Sequence, residues 1–148
     1  MNDRSNLTAK RVVLVSVTTV LQSAAYVWAL PWTLLGLLVG LLGLLSGGRG
    51  RRHGRVWEFH GGATSWLLEH WPGSVAPSAM TLGHTILGRT AAALDAAREH
   101  EMVHVRQYER WGPLFVPAYL LASLGLWMAG KDSYRDNPFE RQAYDEVP

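Results

Sequence analysis

The chain has 148 residues, a length that suits one domain. It contains no cysteine, which excludes a disulfide framework and any thiolate metal site, so a bound metal would have to use histidine and carboxylate. The net charge of +2 is mild and comes largely from basic clusters beside an apolar stretch, which argues against nucleic-acid binding.

Mean hydropathy is zero although 48% of the residues are hydrophobic, so the apolar residues are unevenly placed. Met1 to Arg11 is a polar, basic leader carrying Arg4, Lys10 and Arg11. No charged residue follows until after Gly48. That run is too long for a secretory signal core, and one membrane span needs only about 20 residues. Leu30-Pro31-Trp32-Thr33 interrupts it: Pro31 disfavours helix at Leu30, and Thr33 can cap a following helix. The expectation is a transmembrane helical hairpin, Val12 to Ala29 and Leu34 to Ser46, with one kinked helix as the alternative. Arg49, Arg51, Arg52 and Arg55 follow the run, so both flanks favour the cytoplasmic side. This places the chain in the cell (inner or plasma) membrane with the remainder on the cytoplasmic face. Tyr26, Trp28 and Trp32 would form an aromatic belt at the hairpin tip. Gly36-x-x-x-Gly40 and Gly43-x-x-x-Gly47 would let helices approach closely.

Gly47 to Gly54 reads as a linker at the membrane surface, its arginines near anionic headgroups. Val56 to His60 alternates apolar and polar residues and predicts a short strand ending at Gly61-Gly62. Thr64 to Trp71 reads as a short helix or turn, and 74–78 as loop. Met80 to Leu87 is the second strand, with Met80, Leu82, His84 and Ile86 on one face. Thr90 as N-cap, the helix formers from Ala91 to Arg98 and the stop at Gly112-Pro113 predict a helix from Ala91 to Trp111. Its middle reads His100-Glu101-x-x-His104. One helical turn separates the imidazoles, so two nitrogens can meet one zinc ion, and Glu101 stands beside them, able to hold a water. A third protein ligand is needed for such a site. Asn137 and Pro138 predict the start of a short helix, with Glu140 in its first turn, either capping that helix or facing a metal. The apolar run from Gly112 to Gly130 is read as a helix backing the motif helix. A third span there would carry Glu140 to the far side from the histidines, and Lys131 to Asp136 is too charged to return through lipid. His53, His60 and His70 have no partner at a ligand spacing.

His100-Glu101-x-x-His104-x-x-Gln107-Tyr108, then an apolar helix, then Asn137-Pro138-x-Glu140-x-x-Ala143-Tyr144, resembles the gluzincin metalloproteases, and most of all their short members, the minigluzincins. The resemblance runs from about Ala79 to Asp145. It implies that His100, His104 and Glu140 are zinc ligands and that Glu101 is the general base. It also implies an edge strand before the motif helix, at Leu82, Gly83, His84 and Thr85, to which a peptide adds as a further strand. His84, Tyr108 and Tyr144 are candidates for transition-state donors or for orienting the ligands. Where many gluzincins carry an aspartate four residues after the ligand glutamate, this chain has Tyr144.

The fold expected is therefore α+β and mainly helical: a membrane hairpin over 1–48, then a small zincin-like domain over 49–148 built of short strands, the motif helix, an apolar backing helix and the helix of Glu140. The expected cofactor is Zn2+, and the expected partners are the lipid bilayer and a peptide or membrane-protein substrate, with a homo-oligomer left open. The activity expected is that of a membrane-anchored zinc peptidase. A non-catalytic membrane module, with a structural zinc and a hairpin that binds a partner membrane protein, is the alternative. A hydrolase of some other carbonyl compound is a third class.

Overall fold

Four short strands build the sheet around which the chain is arranged. The computed structural model describes residues 3–72 and 76–147, with the backbone alone for 3–22. In chain order the elements are α1 (Asp3–Leu45), β1 (Arg49–His53), β2 (Val56–His60), α2 (Gly62–Glu69), β3 (Ala79–Leu82), β4 (Thr85–Gly88), α3 (Ala91–Trp111), a 3-10 turn (Gly112–Leu114), α4 (Phe115–Met128) and α5 (Pro138–Glu146). The protein is thus α+β and mainly helical. The sheet order is β1-β2-β4-β3, with β2 and β4 parallel and the other two pairs antiparallel.

The two faces of the sheet bury different partners. Val56 and Ile86 point to α3, where they meet Leu94 and Val105. Phe59 and Leu87 point the other way, onto Leu68 of α2 and Leu37 and Val39 of α1. Between β2 and α3 lies Glu58, wholly buried and held by Arg51 of β1 at 2.6 Å and Arg98 of α3 at 2.8 Å. Burial opposes the charge of Glu58, yet the two guanidinium groups outweigh it and hold the carboxyl below its usual range.

Residues 3–45 form one continuous helix rather than the expected hairpin. Pro31 lies inside it and removes one backbone donor, but a single lost bond does not end a long helix that is packed on either side of it, at Ala29 and at Trp32. The hydroxyl of Thr33, expected to cap a second arm, instead donates to the Ala29 carbonyl at 3.0 Å within the same helix. With one helix in place of two, the charge argument that put both flanks on the same face of the membrane no longer holds. The side chains of Arg4, Lys10 and Arg11 lie outside the described residues, as do 73–75 of the expected loop.

The glycines of α1 meet the domain, not a second membrane helix. A Cβ on Gly36 would stand 2.7 Å from Thr85 Cβ, one on Gly40 2.4 Å from the Phe59 ring, and one on Gly43 2.2 Å from Thr64 Oγ1. Small residues on one stripe let α1 lie directly on the sheet and α2. Tyr26 and Trp32, expected at a membrane interface, also face inward: Tyr26 stacks on His84, and Trp32 donates to the Pro113 carbonyl at 3.2 Å.

Two further expectations change. Gly47 to Gly54 is not a bare linker but contains β1, turned back onto β2 at Gly54, whose φ of 55° suits glycine. Arg51 serves Glu58 and Arg55 pairs with Glu109 at 2.7 Å, so neither is free for headgroups. Met80 to Leu87 is not one strand: it folds at Gly83 and His84 into the β3–β4 hairpin, with Leu82 paired to Thr85. The two-residue turn shifts the alternation, so Met80 and Leu82 face α1 and α2 while Ile86 faces α3.

Two helical stretches, Ser23–Leu45 and Ala91–Met128, are long and apolar enough to cross a membrane. The second owes this to α4, since α3 carries Asp95, Arg98, Glu99, Arg106, Glu109 and Arg110. The outer faces of α1 and α4 expose Leu34, Leu38, Leu41, Leu121, Leu124 and Trp127.

Docking of α1 through its glycines is testable by thermal unfolding in detergent. Gly40→Ala should cost about 1–3 kcal/mol, because the methyl group overlaps a buried ring. Gly125→Ala, in open space on α4, should be neutral or stabilise by up to about 1 kcal/mol. Equal effects of the two would show that α1 is not seated on the domain.

Candidate metal centre

The motif helix forms where the sequence places it, from Ala91 to Trp111, with the Thr90 hydroxyl accepting from the Ala93 N–H and Gly112 ending it. His100 and His104 share one face, and their Nε2 atoms are 3.2 Å apart. The short helix α5 starts at Pro138 after the Asn137 cap and carries Glu140 to the same point. Glu140 Oε2 lies 3.2 Å from His100 Nε2, and Oε1 lies 3.5 Å from His104 Nε2. One donor atom from each of the three residues lies within 4.8 Å of the others, a cluster that could hold a metal ion.

The chain brings Glu140 there through α4. This helix does not lie along α3 as a backing layer. Its first turns touch α3 through Phe115, whose ring packs on Tyr108 at 4.3 Å, and its outer face is exposed. The buried side chain of Asn137 ties the two C-terminal helices together. Its amide donates to the Tyr119 carbonyl at 3.1 Å and to Ser123 Oγ at 2.8 Å, while its oxygen accepts from the Phe139 N–H at 3.0 Å. Tyr119 of α4 then donates its hydroxyl to Glu140 Oε1 at 2.8 Å.

Gln107 decides the tautomer of His104. Its amide nitrogen donates to the Phe139 carbonyl and to Gln142 Oε1, both at 3.0 Å, and a backbone carbonyl can only accept. The Gln107 oxygen must therefore face His104 Nδ1, 2.8 Å away, and Nδ1 must carry the proton. The Nε2 lone pair is left pointing at Glu140. A lone pair and a carboxylate that face each other need a cation between them, either a proton or a metal ion. Without a metal, burial pulls His104 down but the hydrogen bond and charge of Glu140 raise it overall. Burial likewise opposes the charge of Glu140, yet His100, His104 and Tyr119 bring its carboxyl down to about 2. The donor set and the fixed tautomer fit a divalent ion of the borderline type that takes imidazole and carboxylate.

No family model, curated protein or solved structure matches the chain. Its functional reading is carried by this geometry.

Glu101 lies next to the three residues but is not one of the cluster. It is 6% exposed, and Thr81 of β3 donates its hydroxyl to Oε2 at 2.7 Å. Burial pushes its carboxyl up, and the neighbouring His104 charge and the Thr81 hydrogen bond only partly offset this. Glu101, His104 and Glu140 all open onto one cavity of about 520 Å3, which all four residues of β3 also line.

The other sequence candidates separate. Leu82 lies in β3 and lines the cavity. Gly83 and His84 form the turn, and Thr85 belongs to β4, an inner strand whose hydroxyl faces Thr33 of α1. The cavity-side edge is therefore Ala79–Leu82, not Leu82 to Thr85. His84 is buried and turned away from the cavity: its Nε2 is 3.1 Å from Glu109 Oε1, and its ring stacks on Tyr26 at 4.1 Å. It fastens α1 to the sheet and is not among the residues that line the cavity. The Tyr108 hydroxyl is committed to the Thr81 carbonyl at 3.2 Å. Tyr144 lays its ring against His100 at 4.7 Å, and its hydroxyl meets Tyr134 rather than an imidazole nitrogen. Thr81 and Tyr119 carry no pattern that would single them out in sequence, Asn137 reads there only as a helix cap, and Gln107 reads only as a helix-packing residue.

The role of Gln107 can be measured by competition titration with a zinc chelator. Gln107→Leu should weaken zinc binding by about 10–100-fold. His100→Ala, His104→Ala and Glu140→Ala should each lose tight binding altogether. Full affinity in Glu140→Ala would remove α5 from the centre.

Proposed function

We propose that this protein is a membrane-associated zinc peptidase of the gluzincin type, with His100, His104 and Glu140 as ligands and Glu101 as general base. The observation that carries the reading is a buried, non-ligand carboxylate beside the three-residue cluster, opening onto the same cavity. An ion held by three protein groups with a position left open polarises a carbonyl and acidifies water. Glu101 is oriented by Thr81 to take the proton of an attacking water as its oxygen adds to the peptide carbonyl carbon. The same carboxyl then hands that proton to the amide nitrogen, the C–N bond breaks, and an acid and an amine leave. Its raised affinity for a proton suits the second half of that exchange.

Negative charge that builds on the carbonyl oxygen calls for a hydrogen-bond donor. Tyr119 is committed to Glu140 and Tyr108 to Thr81. Tyr134 lines the cavity, and among the described residues its hydroxyl has only the Tyr144 hydroxyl at 3.5 Å, so it is assigned this task. β3 has no strand partner on its outer edge among the described residues, which suits an extended peptide laid along it. The apolar outer faces of α1 and α4 support a bilayer as the setting.

A structural metal that clamps α3 to α5 is the alternative, favoured by the low exposure of Glu140 and His104, 4% and 7%. Glu101→Gln separates the two, because it keeps size and helix propensity but cannot act as a base. Zinc content should stay at one per chain while cleavage of a broad pool of membrane-derived peptides falls by about 10²–10⁴. Unchanged cleavage by the variant would remove Glu101 from the mechanism, and zinc retention without cleavage by either protein would favour the clamp. Tyr134→Phe should lower the turnover rate by about 10²-fold at unchanged zinc content. Wild-type turnover in Tyr134→Phe would leave the oxyanion donor to another group.

A further inference from the structure

The cavity in front of the metal centre is far less polar than the centre itself. Trp32, Leu35 and Val39 of α1, Val116 and Leu120 of α4 and Met80 of β3 all line it. Among the residues that line it, acidic, basic and imidazole side chains are confined to Glu101, His104 and Glu140, all of which belong to the centre. A charged side chain placed elsewhere in the cavity would lose its water and find no partner. An apolar side chain of leucine size gains about tenfold or more in affinity from the same transfer. A volume of about 520 Å3 holds several such side chains at once.

The walls are also unusual in origin. The helix that closes one side is the apolar α1, whose opposite face exposes Leu34, Leu38 and Leu41. Leu35 and Leu120 stand at the rim, 42% and 58% exposed, on the two helices whose outer faces are apolar. A chain entering between them passes from one apolar surface to another without crossing a charged rim.

We propose that the substrates are polypeptide segments apolar on both sides of the scissile bond, of the kind that cross membranes, and that Leu35 and Leu120 set this preference. The inference depends on the peptidase reading above and names its substrate class. It makes α1 part of the substrate site and not merely an anchor. The segment lies extended along β3, its side chains alternating between the α1 wall and the centre.

The test measures binding, independently of turnover, on the zinc-loaded full chain in detergent micelles. Three probes are compared by calorimetry: acetohydroxamate, a blocked leucyl-leucine hydroxamate and a blocked lysyl-lysine hydroxamate. His100→Ala serves as the blank for partition into micelles. The leucyl probe should bind about 10²-fold tighter than acetohydroxamate, given about tenfold for each buried side chain. The lysyl probe should gain nothing over acetohydroxamate. Leu120→Glu, a change at a position 58% exposed, should leave the melting temperature near that of the wild type, cut the leucyl-to-acetohydroxamate ratio about tenfold and raise the lysyl ratio. Equal affinities for the leucyl and lysyl probes, with acetohydroxamate bound, would overturn the substrate class and leave the peptidase reading standing. Failure of zinc-loaded protein to bind acetohydroxamate would show that no coordination position is open, and would overturn the peptidase reading itself.

Discussion

The Glu140 carboxylate, buried between two imidazoles, is the constraint on which the C-terminal third of the chain depends. A buried charge of this kind is costly unless every lone pair is met. One oxygen has the Tyr119 hydroxyl, and both face histidine nitrogens. Tyr119 sits on α4 and Glu140 on α5, so the two helices must keep a fixed relation for the carboxylate to be satisfied. Asn137 supplies that relation with three hydrogen bonds from a fully buried side chain. The chemistry of one position thus explains why a cap residue is placed deep in the interior, where a cap is usually at the surface.

A second constraint acts from the N-terminal side. The sheet has only four short strands, too little apolar area on one face to cover itself, and α1 supplies the missing cover. Its glycine stripe gives a close approach, and Tyr26, Trp32 and Thr33 fasten it to His84, Pro113 and the β3–β4 turn. A hydrophobic helix that is mostly exposed on one side and packed on the other has two solvents, the protein and whatever meets its outer face. This divided role explains why, from Val12 to Leu45, its sequence is apolar all round the helix with no charged residue.

The elements legible in sequence are those fixed by local chemistry. The Thr90 cap, the Gly112 stop, the alternation from Val56 to His60 and the Asn137-Pro138 start all act within a few residues, and each element formed as read. The hairpin expectation for 12–48 failed because Pro31 reports a local preference, while the helix continues through it where Ala29, Trp32, Gly36 and Gly40 pack against the domain. β1 escaped notice because an arginine-rich strand paired on one edge shows no apolar alternation; its signal is the partner, Glu58, several residues away. The fold of Met80 to Leu87 into a hairpin turns on Gly83 at φ 60°, which reads in sequence as one glycine inside a strand. At the centre, spacing on a helix made His100, Glu101 and His104 visible, and the cap made Glu140 visible. Thr81, Gln107 and Tyr119 were not, because each acts across elements distant in sequence and has no spacing to betray it.

Glu101 bears most directly on the choice between chemistry and structure. Removing a carboxylate from water without an opposing cation in contact is unfavourable, and burial does push this group toward its protonated form. A metal that only clamps α3 to α5 is complete with His100, His104 and Glu140 and gains nothing from a second carboxylate nearby. In such a protein, a neutral residue of the same shape at this position would be more stable. Yet the fold goes further and spends the Thr81 hydroxyl, on a strand otherwise lined by apolar side chains, to hold one Glu101 oxygen in place. A strained or costly group that is also oriented is best explained by a task that needs both its proton affinity and its position. Proton transfer beside a metal, as proposed above, is such a task, and the cavity that reaches Glu101 and two of the cluster residues would give a reacting molecule a way in.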